Sequence, residues 1–172
     1  MARTLLIMRH AKSDWEHSVA NDFGRPLAAR GRRDAPRIGR WLRLQGHVPG
    51  EIIASPAKRA RETADAVRGE LSERPLPLRF DERIYAAALT DLRAVLADVQ
   101  APTKTVLLIG HNPGLEELLE YLTAGALPEG VEADKLMPTA AVAGIILPDS
   151  WATLPRGCGT CAWTIRPKQL DA

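Results

Sequence analysis

The chain has 172 residues, of which 45% are hydrophobic and 26% charged. This composition excludes a disordered chain and is typical of a globular protein that buries a core without disulfides or metals. Lys and Arg number 23 against 21 Asp and Glu, a net charge of +2, which indicates no general attraction to nucleic acid or to a membrane surface. Any basic site must therefore be local.

The chain shows no internal repeat, no low-complexity tract and no linker that would divide it. Its N-terminal apolar run, Leu5–Met8, is much shorter than a signal-peptide core, and no stretch approaches the ~20 apolar residues of a membrane span. We therefore expect a single domain over residues 1–172, a cytoplasmic location and no membrane partner.

Six apolar segments have the length and composition of strands. They are Thr4–Met8, Glu51–Ala54, Leu76–Phe80, Thr105–Ile109, Val142–Leu147 and Ala162–Ile165. The first and the fourth are continuously apolar, as expected of parallel strands that are buried on both faces. These two segments are predicted to lie in the middle of a sheet.

Helical patterns fall between the strands. One surrounds Ile38 and Leu42, a second runs over Leu92–Val99 behind a Thr90 cap, and a third runs over Leu115–Leu122 behind Asn112-Pro113. Alternation of strands and helices predicts an α/β fold, a three-layer α/β/α sandwich with a largely parallel central sheet. The last two strands are the candidates for antiparallel pairing.

Ligands of open α/β sheets bind beyond the carboxyl ends of the strands. Here the first strand is followed by Arg9-His10, the second by Ser55-Pro56 with Lys58 and Arg59 further on, and the fourth by Gly110-His111. Two histidines and several cations are therefore expected at one edge of the sheet.

Each of these segments alone also fits a structural role, because a histidine after a strand often caps and Lys58–Arg61 can be a solvated helix face. Ser55 as cap and Pro56 as first helical residue would, however, leave Lys58 and Arg59 in the opening turn. The helix dipole disfavours cations there by up to ~1 kcal/mol. A bound anion such as phosphate would offset that cost, so the pattern predicts an anion site.

Three ordered blocks resemble the histidine phosphatase superfamily, in the branch of phosphoglycerate mutase-like and SixA-like phosphohistidine phosphatases. Arg9-His10-Ala11 is similar to the opening Arg-His-Gly of the family. Residues 55–64 are similar to its Ser followed by Arg-Ala-x-Gln-Thr-Ala, and residues 106–113 to its apolar strand ending in Gly-His. The resemblance covers about residues 3–166 and implies a phosphoglycerate mutase-like fold.

Two positions depart from the family pattern. Ala11 replaces Gly and Glu62 replaces Gln. The first change is common in the short SixA-like members, together with stretches similar to residues 12–15 and to Arg25-Pro26-Leu27 here. Glu62 is expected to face away from the pocket.

The resemblance implies a mechanism in which His10 attacks phosphorus and the resulting phosphohistidine is hydrolysed by water. Arg9, Arg59 and His111 would bind the phosphoryl group, with a protonated His111 donating to it, so no metal and no cofactor are expected. Neighbouring arginines would favour a neutral His10.

The proton donor to the leaving group is left open. Family members place a Glu in a stretch similar to Glu82-Arg83-Ile84-Tyr85, which makes Glu82 the candidate, while a surface salt bridge is the equal alternative. Asp81 is the second candidate.

Only two long loops remain, Asp14–Ala29 and Ala124–Met137, which predicts an open pocket able to admit a phosphorylated side chain. The expected substrate is phosphohistidine on a signalling protein; the alternative is a small phosphomonoester, in a phosphatase or mutase. A non-catalytic phosphate-binding module is disfavoured because the four site residues are all present. A nucleic-acid binder built on Arg30–Arg33 and Lys58–Arg61 is disfavoured because aromatic residues are few, 5%.

Cys158 and Cys161 form a C-x-x-C pair. One such pair supplies half of a zinc site, and a redox motif would open a helix, whereas here a predicted strand follows. We expect two incidental thiols in a turn.

Overall fold

A computed structural model describes residues 1–16, 21–132 and 134–171 of the chain. Parts of both predicted long loops, residues 17–20 and residue 133, lie outside the described residues. Six strands form one sheet. They are β1 (Arg3–Arg9), β2 (Glu51–Ala54), β3 (Leu78–Phe80), β4 (Thr105–Gly110), β5 (Val142–Leu147) and β6 (Thr160–Ile165).

The strand order is β3-β2-β4-β1-β5-β6. The first four strands run parallel, with Arg9 opposite Gly110 and Ala54 opposite Ile109 at their carboxyl ends. The predicted central strands, β1 and β4, do lie in the middle. Of the two strands proposed as antiparallel, only β5 opposes β1; β6 pairs antiparallel with β5 and so returns to the direction of β1.

Four α-helices cover the sheet: α1 (Ala29–Leu44), α2 (Lys58–Leu71), α3 (Leu89–Ala97) and α4 (Gly114–Thr123). Alternate residues of β1 point to opposite faces, so Leu5 and Ile7 pack with α3 and α4, while Leu6 and Met8 pack with α1 and α2. This is a three-layer α/β/α sandwich. Short 3-10 turns lie at Asp22–Gly24, Glu82–Ile84 and Pro167–Asp171.

The helix starts differ from the sequence prediction. Helix α2 begins at Lys58 with Ala57 as its N-cap, so Ser55 and Pro56 precede the helix, although Lys58 and Arg59 remain in its first turn. Helix α4 begins after Pro113 and is not capped by Asn112, whose amide instead donates to Met137 O.

Thr90 is not the cap of α3. The Asp91 carboxylate accepts a hydrogen bond from Ala88 N at 2.9 Å, which moves the start of the helix upstream. Among the described helices, none has both the length and the apolar character that crossing a lipid bilayer requires.

Candidate active site

His10 follows β1 and is almost completely buried, with 6% of its surface exposed. Its Nδ1 lies 2.7 Å from the carbonyl oxygen of Ala11. Because a carbonyl can only accept, Nδ1 carries the proton, and Nε2 holds a lone pair. Nε2 accepts from Arg59 Nε at 3.4 Å. The ring is thus fixed with its unprotonated nitrogen facing the first turn of α2.

Thr63 ties α2 to the segment that carries His10. Its hydroxyl accepts from Ala11 N at 3.0 Å and donates to Arg59 O at 2.7 Å. Since Thr63 is fully buried, these bonds are shielded from water. The threonine therefore sets the distance between the histidine and the arginine.

Arg59 is buried, with 5% exposure, despite its position at the start of a helix. Its Nη1 donates to Asp22 O at 2.8 Å and its Nη2 donates to Asp22 Oδ2 at 2.9 Å. One edge of the guanidinium faces His10, and the other holds an anion, the carboxylate of Asp22.

The carboxylate of Asp22 accepts hydrogen bonds from three side chains. Besides Arg59, the Arg25 guanidinium and the Tyr85 hydroxyl each donate to its carboxylate at 2.7 Å. These hydrogen bonds, that of Arg25 foremost, hold the pKa of Asp22 well below its ordinary value. The carboxylate stays ionised and occupies donors that a phosphoryl oxygen could use.

His111 follows β4 and faces His10, with the ring centroids 5.1 Å apart. Its Nε2 shares a hydrogen bond of 2.7 Å with the hydroxyl of the fully buried Ser55. Its Nδ1 is buried and has no partner among the described residues. Tyr85 packs edge-on against the ring at 5.6 Å.

Arg9 completes the cluster from the end of β1. Its Nη1 donates to Met137 O at 3.3 Å, while its Nε is buried without a partner in the described part of the chain. Burial is the main cause that lowers the pKa of this guanidinium, with Arg59 adding to it. The structure thus brings His10, Arg9, Arg59 and His111 together, as the order of strand ends predicts.

Burial controls the protonation of both histidines. It is the largest cause that lowers the pKa of His10 to about 3, and the charges of His111, Arg59 and Arg9 lower it further. It also lowers the pKa of His111 to about 4, with Arg59 as the next cause. Both rings are neutral at pH 7. The neighbouring arginines thus act in the predicted direction on His10, but desolvation acts more strongly.

Glu82 lies exposed in the 3-10 turn after β3, and its carboxylate forms no hydrogen bond or ion pair within the described residues. Neither of the two sequence interpretations, proton donor or salt bridge, is therefore supported by a contact. Asp81 is bonded by Arg83 and Arg79, and the Arg83 hydrogen bond is the main cause that lowers its pKa to about 2.

Five residues of the site were not assigned from the sequence: Asp22, Arg25, Ser55, Thr63 and Tyr85. Four of them, all except Asp22, lie in motif stretches quoted above, which was the available indication of a role. Asp22 had no such indication, because it lies in a loop without periodicity. Glu62, expected to face away, accepts from Leu27 N at 3.0 Å and so holds the loop that ends at α1.

Cys158 and Cys161 are free thiols around the start of β6, and burial raises the pKa of both. Across residues 1–16, 21–132 and 134–171, no three His, Cys, Asp or Glu side chains are grouped so that they could hold a metal ion.

Several known proteins are similar to this chain in sequence or in fold. Residues 5–93 match the model of the histidine phosphatase superfamily, branch 1. An uncharacterized protein of Mycobacterium tuberculosis is 32% identical over 88% of this chain and 94% of its own. The phosphohistidine phosphatase SixA of Escherichia coli is 30% identical over 96% of this chain and 95% of its own. A structure of the protein histidine phosphatase SixA complexed with tungstate superposes with a TM-score of 0.79, at 25% identity, over 97% of this chain and 99% of that one.

The chain therefore belongs to the histidine phosphatase superfamily, branch 1. It is a hydrolase of phosphoesters or phosphoramidates, with the SixA-like fold and a phosphate-containing substrate.

Proposed function

We propose that the protein is a cytoplasmic, metal-independent phosphohistidine phosphatase that acts on a phosphorylated protein through an intermediate on His10. The observation that carries the proposal is the His10 ring, neutral and buried, with its Nδ1 proton held by Ala11 O and its Nε2 lone pair turned toward Arg59. A histidine can attack phosphorus only through an unprotonated nitrogen.

In the first step, Nε2 of His10 forms a bond to phosphorus as the bond from phosphorus to the substrate nitrogen breaks. In the second step, the oxygen of a water molecule forms a bond to phosphorus as the bond from phosphorus to Nε2 breaks, so that the phosphate leaves with both water protons and the His10 ring is again neutral. Charge spreads over three phosphoryl oxygens in both transition states, so positioned cations supply most of the stabilisation. Arg59 and Arg9, held within the buried cluster, serve this purpose.

His111 provides a further donor. Its buried Nδ1 lacks a partner in the described structure, and its Nε2 is anchored on Ser55. A phosphoryl dianion beside the ring raises the pKa of His111 and favours a proton on Nδ1, which then donates to a phosphoryl oxygen. The ring is thus neutral before the substrate binds and charged afterwards.

The leaving nitrogen of a phosphoramidate must be protonated, but the bond to phosphorus is intrinsically labile. An exposed acid such as Glu82 is sufficient for this task, whereas an alkoxide leaving group depends on a donor fixed within hydrogen-bond reach. Asp81 is less suited as the donor, because Arg83 and Arg79 bind its carboxylate and lower its pKa to about 2. The lability of the substrate bond is why a protein phosphohistidine is preferred to a sugar phosphate.

The decisive test is to trap the phosphoenzyme. Rapid quenching without acid after addition of a phosphohistidine-bearing protein should yield phosphate on His10, and His10→Ala should abolish both the adduct and turnover. Activity should survive EDTA, because the arginines take the position of a divalent cation. Phosphate on a serine or aspartate, or a complete loss on chelation that magnesium or zinc restores, would overturn the mechanism.

The second candidate is hydrolysis of a small phosphomonoester, favoured because Arg9, Arg59 and His111 would bind a phosphoryl group whatever group it is attached to. The two are separated by comparing kcat/KM for a phosphohistidine protein with that for phosphoglycerate and an aryl phosphate, using wild type and Glu82→Gln. Faster turnover of the small ester, or complete loss of phosphohistidine activity in Glu82→Gln, would replace the first proposal with the second.

A further inference from the structure

A second cationic region lies at the same edge of the sheet as the candidate active site. It is a cavity of about 480 Å³ between the start of α1, the loop before β5 and the turn after β6. Five cationic side chains line it: Arg30, Arg33, Lys135, Arg166 and Lys168. We call this region the basic cavity. The site described above uses none of these residues.

The basic cavity shares a wall with the candidate active site. Pro138 and Thr139 line the cavity. The residue before them, Met137, accepts from Arg9, and the residue after them, Ala140, donates its N–H to His10 O at 3.1 Å. Strand β6 lies two positions from β1 in the sheet, a lateral separation of about 10 Å at the usual strand spacing. A macromolecule bound at His10 would therefore extend over the cavity.

Most cations of the basic cavity are unpaired. Arg37 bridges Asp34 and Asp171, and Arg33 also binds Asp34, so two of the three carboxylates lining the cavity are already neutralised. Among the described residues, four cations form no ion pair, Arg30, Lys135, Arg166 and Lys168, against one remaining carboxylate, Glu132. The cavity is therefore net positive, although the whole chain is nearly neutral.

Arg30 is placed where a cation is disfavoured. It lies in the first turn of α1, which has no acidic residue, so the helix dipole opposes its charge. The position of the turn is fixed, because a Cβ on Gly31 would lie 2.2 Å from Lys12 O, two residues after His10. The helix start is thus held against the active-site segment while it presents an unpaired cation to the cavity.

We propose that the basic cavity is a docking surface for an acidic segment of the phosphorylated protein substrate. This inference rests on the proposed function, and it adds where the partner binds and what chemistry it presents. Exposed, unpaired cations attract Asp and Glu side chains over distances near the Debye length and raise association rates with little demand on geometry. The phosphorylated histidine then enters the neighbouring pocket.

Two other occupants are less consistent with the cavity. A nucleic acid would need aromatic side chains for base stacking, and the lining contains none. A small bisphosphorylated molecule would need pre-formed, paired donors at a fixed position, whereas Arg30, Lys135 and Lys168 are exposed and drawn from separate segments.

The test uses two synthetic peptides, each with one phosphohistidine, flanked by glutamates in one and by serines in the other. For the wild type, kcat/KM should be about tenfold higher for the acidic peptide, mainly through a lower KM, and the advantage should fall as salt is added. In Arg30→Glu/Lys168→Glu the two peptides should become about equal, while kcat for the serine peptide stays unchanged.

The control is Arg43→Glu/Arg74→Glu, which changes the net charge equally at exposed positions on the opposite edge of the sheet. It should retain the preference for the acidic peptide. Folding of the test variant is not a concern at position 30, because an acid in the first turn of a helix is favoured by the dipole. Equal responses of the two variants, or an unchanged preference in the test variant, would overturn the inference.

A third measurement separates this inference from the proposed function. Binding of the unphosphorylated acidic peptide to His10→Ala is followed by fluorescence anisotropy, with a single-stranded oligonucleotide as competitor. Loss of binding in the Arg30→Glu/Lys168→Glu background supports the docking surface even if neither phosphopeptide is hydrolysed. Absence of binding, or binding of the oligonucleotide in preference to the peptide, would refute it.

Discussion

The cluster around His10 and the basic cavity lie at the same sheet edge, yet they differ in burial and in pairing. In the cluster, His10 and Arg59 are 6% and 5% exposed, and each is held by hydrogen bonds. In the cavity, Arg30 and Lys168 are exposed and form no ion pair within the described residues. One set of charges is fixed before any ligand arrives, and the other is free to adjust.

This difference in burial and pairing indicates that the charges of the cluster and those of the cavity have different functions. Charges that stabilise a transition state must be oriented in advance and shielded from water, because reorientation during the reaction would cost free energy. Charges that only bring a partner closer act through water and need no fixed geometry. Under the two proposals above, the same residue type, arginine, serves both purposes according to its surroundings.

The largest expected effect comes from removing a buried charge. Arg59→Ala should lower kcat by roughly 10²-fold, the scale found when one preorganised donor is lost. The matched control is Arg61→Ala, which removes an exposed arginine of the same helix that stacks on Phe80. Steady-state kinetics on an aryl phosphate should show the loss in the first variant only, and similar losses in both would remove the distinction between buried and exposed cations.

A smaller effect is expected where the cluster already holds its own anion. Asp22→Asn keeps one oxygen, which can still accept from Arg59 and Tyr85, but it loses the second oxygen that accepts from Arg25 and removes a negative charge beside the incoming phosphoryl group. Inhibition by vanadate should become stronger by about fivefold, the equivalent of about 1 kcal/mol of charge repulsion. Weaker inhibition in Asp22→Asn would show instead that the carboxylate mainly positions its donors.

Burial of the two histidines should also make stability depend on pH. Their folded pKa values of about 3 and about 4 lie below the ordinary value of 6.5, so the unfolded chain binds more protons between these limits. Stability should therefore fall as pH falls from 6.5 toward 4, by up to about 1.4 kcal/mol per pH unit for each histidine.

His10→Gln should reduce this slope in denaturant unfolding measured between pH 4.5 and 6.5. His47→Gln should reduce it less, because His47 is only half-buried and its pKa is lowered by burial to a smaller extent. An unchanged slope in His10→Gln would contradict a buried neutral ring.

The smallest effect is expected outside both regions. Replacing Cys158 and Cys161 together with Ser should leave turnover and its response to EDTA unchanged, because burial raises the pKa of both thiols and keeps them protonated. Thiol titration confirms the substitution, and circular dichroism checks the fold. A large loss of turnover in a folded variant would show that the pair has a function.

The central strands and the residues that follow them could be predicted from the sequence, because a strand that is buried on both faces consists of apolar residues along its whole length. The continuous apolar runs of β1 and β4 predict the centre of the sheet, and the polar residues that follow them predict the position of His10 and His111. The carboxyl ends of adjacent parallel strands must meet, so no tertiary information was needed for this step.

What the sequence could not show depends on contacts between distant segments. The start of α2 was misplaced because Ser55 bonds to the distant His111 and does not cap the helix. The start of α3 is a local exception, since the Asp91 carboxylate accepts from Ala88 N and the helix begins before Thr90. Asp22 has no periodic pattern around it, and two of its three donors, Arg59 and Tyr85, come from distant segments. The basic cavity could not be predicted from the sequence for the same reason, because residues of three separate segments line it.

The hydrogen bond from His10 Nδ1 to the carbonyl oxygen of the next residue spans a single peptide unit. It needs no carboxylate partner, and it leaves one ring nitrogen able to accept a phosphoryl group. The backbone of residues 10 and 11 thereby selects the nitrogen that would react: the proposed phosphoenzyme would carry its phosphate on Nε2, the nitrogen remote from the main chain, which is the more stable of the two phosphohistidine regioisomers.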